Sequence, residues 1–172
     1  EYPKCGDVKI TLEPQCEEEF EILLRNPFWS MTTSLAVNGV DNSVNDGYIH
    51  IKKLWKKGDV IELKLDMRTE AISPEYKEEG KDKKHIALRR GPLVLAQENR
   101  LGYSVDEPVS IIVNKDGYVD VEMPESDIAP YKHIVEVLVP LSGGSKMTVT
   151  DYASAGKLWT EESKMAAWML TE

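Results

Sequence analysis

The sequence predicts an all-β protein, either a jelly-roll-like antiparallel β-sandwich or two closely packed sheets. Apolar and polar residues alternate along several short segments, which is typical of half-buried strands. Gly, Pro, Asn and Asp clusters separate these segments, and no persuasive helical period occurs before the last 15 residues or so. The 172 residues are enough for one β-sandwich region or, with a weak division near residue 104, two subdomains over 1–103 and 104–172.

Residues 89–97 are predicted to form the central strand of this fold. A short apolar run there lies between a charged segment, 81–84, and a polar one, 97–100. Such a run is typical of a strand that is buried on both faces. Pro92 cannot donate a ladder hydrogen bond, so we expect it at the first residue of the strand or at a bulge. Gly91 before it permits a bend.

Strand predictions for the first half come from period-two alternation. The predicted strands cover residues 8–12, 20–25, 35–37, 48–51 and 61–67. The clearest alternation is in the last of them, where Ile61, Leu63 and Leu65 point to one side and charged residues to the other. Asn38-Gly39 is the strongest hairpin-turn dipeptide in the chain.

The second half begins with a polar stretch, residues 69–85, which predicts an exposed loop. We expect a hairpin between 110–113 and 118–121 over the turn 114–117, and strands over 133–141 and from 147. Residues 160–171 fit either a helix capped by Thr160 or a last strand with Ala166, Trp168 and Leu170 inward. The strand is favoured because the rest of the chain is β.

Composition excludes several classes of function. A net charge of −9 argues against a nucleic-acid surface. No apolar run approaches the roughly 20 residues that a membrane-spanning helix needs, and no signal-peptide pattern is present. The chain starts at Glu1 and enters a strand pattern within a few residues, so we expect a mature product or an excised piece of a longer protein. The sequence leaves localisation open between cytoplasmic and exported.

The residues that most often carry chemistry form no recognisable site. Cys5 and Cys16 lack a zinc-ligand pattern, and they fit either a hairpin disulfide or, as we favour, two separate thiols. His50, His85 and His133 have no His or Cys partner at ligand spacing, so we expect structural or surface roles for them. The sequence therefore nominates no metal ligand.

Catalytic motifs are also missing from the sequence. No particular pair among the 30 acidic residues is singled out for glycosidase chemistry, and no nucleophile elbow or phosphate loop occurs. Trp29, Trp55 and Trp168 are interpreted as core residues. The alternative is that exposed aromatic side chains stack on sugar rings, as in a carbohydrate-binding module.

A set of ordered motifs resembles glycoside hydrolase family 127, the β-L-arabinofuranosidase-like group also known as DUF1680. The segment LLRNPFWS at 23–30 is similar to the family's LRIPxWA. The segment VNG at 37–39 is similar to the family's VNG. GYIHI and WKKGD, within 47–59, resemble GYxxIxRxWxxGD, and RGPLVLA at 90–96 resembles RGPLVYA. The lead-in 2–12 and, faintly, segments 151–153 and 165–169 follow the same family. Asn26, His50 and Lys53 depart from its usual residues.

The resemblance implies a β-sandwich region beside a catalytic (α/α)6 barrel that this chain lacks. In the family, a zinc-bound cysteine nucleophile and the Glu and Cys ligands belong to the barrel. Cys5 and Cys16 do not match those motifs, so no catalytic, cofactor or metal residue is carried over, and zinc is implied only for the missing catalytic domain. The implied role is that of the non-catalytic C-terminal part of a carbohydrate-metabolising hydrolase. Its partners would be the parent's barrel, a second copy in a homodimer, or a carbohydrate.

Overall fold

The structure, a computed structural model, describes residues 2–74 and 84–171. Within these ranges the chain is β structure and loops with a single 3-10 turn, Asn99–Leu101, which confirms the all-β prediction. No helix of the described ranges is long and apolar enough to cross a membrane. The strands are β1 Asp7–Thr11, β2 Glu18–Asn26, β3 Ser34–Val37, β4 Val40–Asn42, β5 Gly47–Trp55, β6 Val60–Lys64, β7 Thr69–Ile72, β8 Lys84–Arg90, β9 Leu93–Glu98, β10 Tyr118–Val119, β11 Glu136–Pro140, β12 Lys146–Asp151, β13 Met165–Ala166 and β14 Met169–Thr171.

The chain forms two compact units, Glu1–Met67 and Arg68–Glu172. The boundary therefore follows the clearest alternating strand, and the division that the sequence suggested near residue 104 falls inside the second unit. Residues 103–108 do carry a loop, but the strands on both sides of it belong to one sheet. A loop with turn residues does not divide a domain when hydrogen bonds join the strands around it.

The first unit is a small sandwich of an antiparallel sheet and an antiparallel ribbon. The sheet has the order β1-β6-β3-β4, and the ribbon pairs β2 with β5 over nine residues, from Glu18 opposite Trp55 to Asn26 opposite Gly47. Both contribute to one hydrophobic core, whose buried members are Leu35, Val37, Ile49, Ile51, Trp55, Ile61, Leu63 and Leu65. The alternation predicted over β6 is thus confirmed, because its apolar side chains face this core.

Trp55 is the largest side chain of that core and is fully buried. Its indole Nε1 donates a hydrogen bond to the Phe20 carbonyl at 2.9 Å, so burial leaves no unpaired donor. The Phe20 and Trp55 rings lie 5.9 Å apart between centroids, within the range of favourable aromatic pairs. The interpretation of Trp55 as a packing residue is confirmed.

The second unit is organised around one antiparallel sheet with the strand order β10-β7-β8-β9-β12-β11; β13 also pairs with β9, and β14 with β8. The predicted central strand forms as β9, Leu93–Glu98, which lies between β8 and β12, but residues 89 and 90 belong to the preceding strand β8. Residues 84–98 form a hairpin, in which Arg90 pairs with Leu93 across a tight turn of Gly91 and Pro92. Gly91 has a φ of +55°, and Pro92 lies where no ladder donor is needed.

The polar exit predicted after the central strand, residues 97–100, is wrong at its first two residues. Gln97 and Glu98 are 1% and 0% exposed, although their side chains are polar. Both residues belong to β9 and pair with β13, while β8 and β12 pair with the preceding residues of the same strand. Polar side chains at such positions require partners inside the protein.

Two loop predictions need correction in this unit. Part of the stretch expected as an exposed loop, 69–85, forms β7, and Lys84 begins β8; residues 75–83 lie outside the described ranges. The turn at 114–117 forms as expected, with the Gly117 amide donating to the Asn114 carbonyl at 3.0 Å. However, residues 110–113 form no strand, and β10 pairs with β7 in place of the expected hairpin partner.

The end of the chain is strand, as favoured over the helix. Met165–Ala166 and Met169–Thr171 are separated by a bend at residues 167 and 168. Met169 is fully buried and Trp168 is 47% exposed. The expected inward position of Trp168 is wrong because two short strands with different partners replace one continuous strand.

Candidate functional site

A half-open cleft of about 860 Å³ lies in the first unit, at the end of the β2–β5 ribbon. The ribbon ends where Asn26 pairs with Gly47, and the loops 27–33 and 43–46 continue from there. The cleft is lined by Arg25, Asn26, Pro27, Phe28, Ser30, Met31, Thr32, Thr33, Val44, Asp46, Gly47 and Tyr48. Most of these residues belong to the segments that resemble LRIPxWA and GYxxIxR.

Asn26 holds the two loops of the cleft together. Its Nδ2 donates to the Asn45 carbonyl at 3.1 Å, and its Oδ1 accepts from the Thr33 hydroxyl at 2.7 Å. The Ser30 hydroxyl lies 2.6 Å from that of Thr33 and accepts from the Asp66 amide at 2.8 Å. A side-chain amide can donate and accept at once, which the usual Ile of the family motif cannot do. This departure from the motif therefore has a local structural reason.

The cleft presents apolar and aromatic surface to solvent. Phe28 is 74% exposed, Met31 68% and Tyr48 54%. Arg25 and Asp46 lie beside them and are also exposed. Exposed apolar surface rimmed by charged groups is typical of a surface that contacts another protein or a ligand.

The described residues that line the cleft do not form a hydrolytic centre. Asp46 is their single carboxylic acid, and none of them is His or Cys. Glycoside hydrolysis in its usual form needs a second carboxyl group across the bond that breaks. The arrangement can therefore bind a surface or a ligand, but it lacks the acid–base pair for cleavage.

The histidines and cysteines lie in different places and do not come together. His50 is on the outer face of β5 and lies 3.1 Å from Glu21, and His85 is half-buried in β8. Cys5 and Cys16 are free thiols in the structure, so the hairpin disulfide does not form. His133, expected to be structural or at the surface, has a side chain only 5% exposed and lies near two carboxylates.

The tryptophans divide into buried and exposed pairs. Trp55 is buried and Trp29 packs, half-buried, on the core of the first unit. Trp159 and Trp168 of the second unit are 56% and 47% exposed. The exposed aromatics of the cleft are Phe28 and Tyr48, so counting tryptophans in the sequence could not have located this surface.

A buried acidic network in the second unit also escaped the sequence analysis. The Glu98 carboxylate is paired with the Arg100 guanidinium and accepts hydrogen bonds from the Tyr131 hydroxyl and, at 3.1 Å, the Gly156 amide. Burial raises the pKa of Tyr131, and the hydrogen bond to Glu98 and its charge raise it further. The one available signal in the sequence was that Glu98 follows an apolar run after a single polar residue, Gln97.

The network is a structural junction. Arg100 donates to the carbonyls of Leu158 and Lys157, each at 2.8 Å, and its guanidinium lies 5.3 Å from the centre of the Tyr131 ring. The buried charge of Glu98 is thus neutralised by a cation and by neutral donors, as a buried carboxylate requires. These contacts connect β9 to loops that lie far away in sequence.

Comparison with known families finds a match for the first unit. The family model described as β-L-arabinofuranosidase, GH127 middle domain, matches residues 1–67. The match ends at the residue where the first compact unit ends. The first unit thus matches the GH127 middle-domain model over its whole length. The family description thus places these 67 residues in the middle of its members, whereas the sequence resemblance had assigned the chain to the C-terminal part.

Solved glycoside hydrolase structures resemble the whole chain, including the second unit, which the family model does not cover. A GH127 β-L-arabinofuranosidase from Geobacillus stearothermophilus T6, Ara127N, is 21% identical with a TM-score of 0.65, and 99% of this chain covers 29% of it. The GH127 β-arabinofuranosidase BT3674 is 23% identical with a TM-score of 0.72, and the coverages are 99% and 30%. A further structure, described as a glycoside hydrolase, is 23% identical over 98% of this chain and 30% of its own, with a TM-score of 0.60. No curated protein matches the sequence.

These likenesses show the fold of both units. The chain spans about 30% of the length of the solved structures that it matches. The first unit carries the cleft and most of the quoted motifs, whereas the RGPLVLA segment belongs to the β8–β9 hairpin of the second unit.

Proposed function

We propose that this chain is the non-catalytic β-sandwich part of a family-127 glycoside hydrolase, a β-L-arabinofuranosidase, and packs against a catalytic barrel formed by the rest of the parent protein. The observation that carries the proposal is the one-sided coverage: nearly the whole chain matches less than a third of each solved GH127 structure. The chemistry would then belong to the remaining two thirds. The absence of a carboxylate pair among the described residues that line the cleft supports this division.

The surface that we propose for contact with the barrel is the apolar end of the β2–β5 ribbon. Phe28, Met31 and Tyr48 form it together with Leu23, which is 51% exposed on the outer face of β2. Large apolar side chains at such exposure are stabilised when a partner removes them from water, by about 25 cal/mol per Å² of apolar surface. We assign the catalytic part of the parent as the partner because it would belong to the same polypeptide. Its packing on this surface would then avoid the loss of translational and rotational entropy that accompanies the association of two molecules.

Activity of the isolated chain tests the catalytic part of the proposal. The 172-residue chain and the longer parent are assayed on aryl β-L-arabinofuranosides at equal molar concentration. We expect hydrolysis by the parent and none by the isolated chain. Hydrolysis by the chain itself, abolished by substitution of its own acidic residues, would show that it is a complete enzyme and defeat the proposal.

Substitution of Phe28 tests the contact with the barrel. Phe28→Asp in the isolated chain should change the free energy of unfolding by less than about 0.5 kcal/mol, as expected for an exposed position. In the parent it should lower the melting temperature, because a charge would then be buried without a partner. The matched control is Val40→Asp, since Val40 is 67% exposed in the same unit but does not line the cleft. Equal behaviour of the two variants in the parent would contradict the assigned surface.

A stand-alone carbohydrate-binding module is the second candidate function. The observation in its favour is that two aromatic residues, Phe28 and Tyr48, are exposed in one cleft beside polar groups. Calorimetry of the isolated chain with arabinose-containing oligosaccharides distinguishes the candidates. Binding that Phe28→Ala weakens tenfold or more would favour the module. No binding, together with destabilisation of the parent by Phe28→Asp, would favour the accessory role. A homodimer through the same surface would appear in sedimentation analysis as a concentration-dependent mass that Phe28→Asp lowers.

A further inference from the structure

Three potential metal ligands meet in the second unit, in the loop that leads into β11. The imidazole Nε2 of His133 lies 3.5 Å from a carboxylate oxygen of Asp127 and 3.3 Å from Oε2 of Glu136. The ligand atoms of the three residues all lie within 4.8 Å of one another. His133 and Glu136 are buried, with side chains 5% and 1% exposed, whereas the Asp127 side chain is 79% exposed.

The hydrogen bonding of His133 fixes which ring nitrogen is available. Its Nδ1 lies 3.1 Å from the carbonyl oxygen of Tyr131. A carbonyl can only accept, so Nδ1 carries a proton and donates it. In the neutral imidazole, Nε2 then has a free lone pair, and this lone pair faces the two carboxylates. A bond from Nδ1–H to a backbone carbonyl is the usual way in which proteins orient a histidine that binds metal through Nε2.

The distances from His133 Nε2 to the two carboxylate oxygens are compatible with a shared metal ion. Charge-assisted N–H···O bonds measure about 2.7–2.9 Å, and both distances from Nε2 are longer. A tetrahedral zinc ion with bonds of about 2.0–2.1 Å holds its ligand atoms about 3.3–3.4 Å apart, the edge of the tetrahedron. The distances of 3.3 and 3.5 Å from Nε2 to the two carboxylate oxygens match that edge.

The environment of Glu136 adds a support that an adventitious surface cluster lacks. Its carboxylate accepts hydrogen bonds from the Ile128 and Ala129 amides, at 3.1 Å each. These bonds hold the carboxylate on the loop that carries Asp127, while Glu136 itself begins β11. Such outer contacts fix the orientation of a ligand before the ion arrives.

We propose that His133 Nε2, Glu136 Oε2 and an Asp127 oxygen form a Zn²⁺ site, with water at the fourth position. A set of one imidazole and two carboxylates suits this cation, and two carboxylates compensate its charge. The ion joins the loop 127–133 to the first residue of β11 and so has a structural role. The proposal does not depend on the glycosidase assignment, because it uses only residues of this chain.

His133 has no His or Cys partner at ligand spacing, so the sequence pattern does not reveal the site. The ligands have the pattern Asp-x5-His-x2-Glu, in which two of three members are common surface residues. Such spacing occurs by chance in any acidic chain. Only the turn of the loop over β11 brings Asp127 back to His133.

Metal titration of the 172-residue chain, prepared with a chelator and dialysed, tests the site. Co²⁺ serves as a spectroscopic substitute for Zn²⁺, because tetrahedral Co²⁺ has an intense visible absorption that octahedral, hydrated Co²⁺ lacks. We expect this absorption to saturate at one equivalent of Co²⁺ and to disappear when Zn²⁺ is added. We also expect Zn²⁺ to raise the melting temperature of the chain. No tetrahedral spectrum and no thermal shift in the wild-type chain would overturn the proposal.

Three variants assign the ligands. Asp127→Asn, at an exposed position that should not affect folding, should weaken Zn²⁺ binding on the order of tenfold or more, and His133→Gln should abolish the tetrahedral spectrum. His50→Gln is the matched control, since His50 also lies beside a carboxylate, Glu21, but on an exposed surface. Undiminished binding by Asp127→Asn, checked for wild-type circular dichroism, would refute the assignment even if His133→Gln failed to fold.

Discussion

Asn38 donates a hydrogen bond through Nδ2 to Oδ1 of Asp59 at 2.8 Å, and so joins two turns of the first unit. The Asn38 Oδ1 accepts from the Val60 amide at 2.8 Å, which ties the same turn to the start of β6. Asn38 and Gly39 both have positive φ, 51° and 75°, as a tight hairpin turn of this kind requires. Asn38 belongs to the family-like segment VNG and Asp59 to WKKGD, and the two residues are 21 positions apart in the sequence. The two segments are therefore joined in one turn structure.

Replacement of Asp59 should change how the stability of the folded protein depends on pH in the acid range. Hydrogen bonds from the Lys56 amide and then the Asn38 amide group lower the pKa of Asp59 below its ordinary value of 3.8, with a smaller contribution from Lys53. A lowered pKa contributes stability above the unfolded-state value, and that contribution is lost as pH falls through the folded-state value. Asp59→Asn should thus be less stable than the wild type at pH 7, and the difference should shrink below pH 3.8.

Melting temperatures measured from pH 7 downward check this expectation. Asp41→Asn is the control, because Asp41 is exposed on β4 in the same unit. The curves of Asp41→Asn and wild type should run parallel. If the Asp59→Asn curve also runs parallel to the wild type through the acid range, the carboxylate contributes nothing through its lowered pKa.

Gly6 is required for steric reasons. A Cβ added there would lie 2.1 Å from the carbonyl oxygen of Leu65, a backbone atom, and the Leu65 amide donates to the Gly6 carbonyl at 3.0 Å. Gly6→Ala must therefore separate two backbones that this hydrogen bond joins, at a cost of about 1–3 kcal/mol in the free energy of unfolding. Urea denaturation followed by tryptophan fluorescence measures it. Gly143→Ala, where a Cβ meets nothing within 4 Å, should cost much less; similar losses would dismiss the steric explanation.

Trp55 should be the most costly aromatic residue to remove from the first unit. Trp55→Ala leaves a cavity in the core and the Phe20 carbonyl without its indole donor, so we expect a loss of about 3–5 kcal/mol. Trp55→Phe should cost less, because a smaller cavity remains. Chemical denaturation monitored by circular dichroism gives the values. Trp159→Ala is the control at a 56% exposed position, and a cost there as large as at Trp55 would contradict the burial argument.

Tyr131→Phe should reveal the buried network of the second unit. At neutral pH it removes one donor from the buried Glu98 carboxylate, at a cost of about 1–3 kcal/mol. Because the pKa of Tyr131 is raised above its ordinary value of 10.0, Tyr131 contributes stability that is complete below pH 10 and is lost as pH rises toward the folded-state pKa. The wild type should therefore lose stability above pH 10 more steeply than Tyr131→Phe. Denaturation series at neutral and alkaline pH provide the comparison, with Tyr152→Phe, 51% exposed, as the control; equal slopes would show that Tyr131 titrates normally.

The two units differ in how far local sequence predicts them. In the first, β6 alternates cleanly and Asn38-Gly39 specifies a turn, so hydrophobic pattern and turn chemistry agree with the fold. In the second unit, β9 has hydrogen-bonded neighbouring strands on both edges. The burial of its side chains therefore depends on which strands pair with it. From the sequence, Glu98 was expected at the polar end of the central strand, and Trp168 on the inward face of the last strand. Both expectations failed because alternation along one segment does not show which other segments pack on it.

The sequence by itself determined the all-β class, the positions of most turns and the likeness to family 127, because these depend on residues that are near neighbours in the chain. Tertiary structure alone decided where the units divide, that Asn26 joins the loops of the cleft, and that Asp127, His133 and Glu136 meet. Each of those depends on strand pairing or on the return of a loop, and the free energy that selects them comes from burial and hydrogen bonds between distant residues.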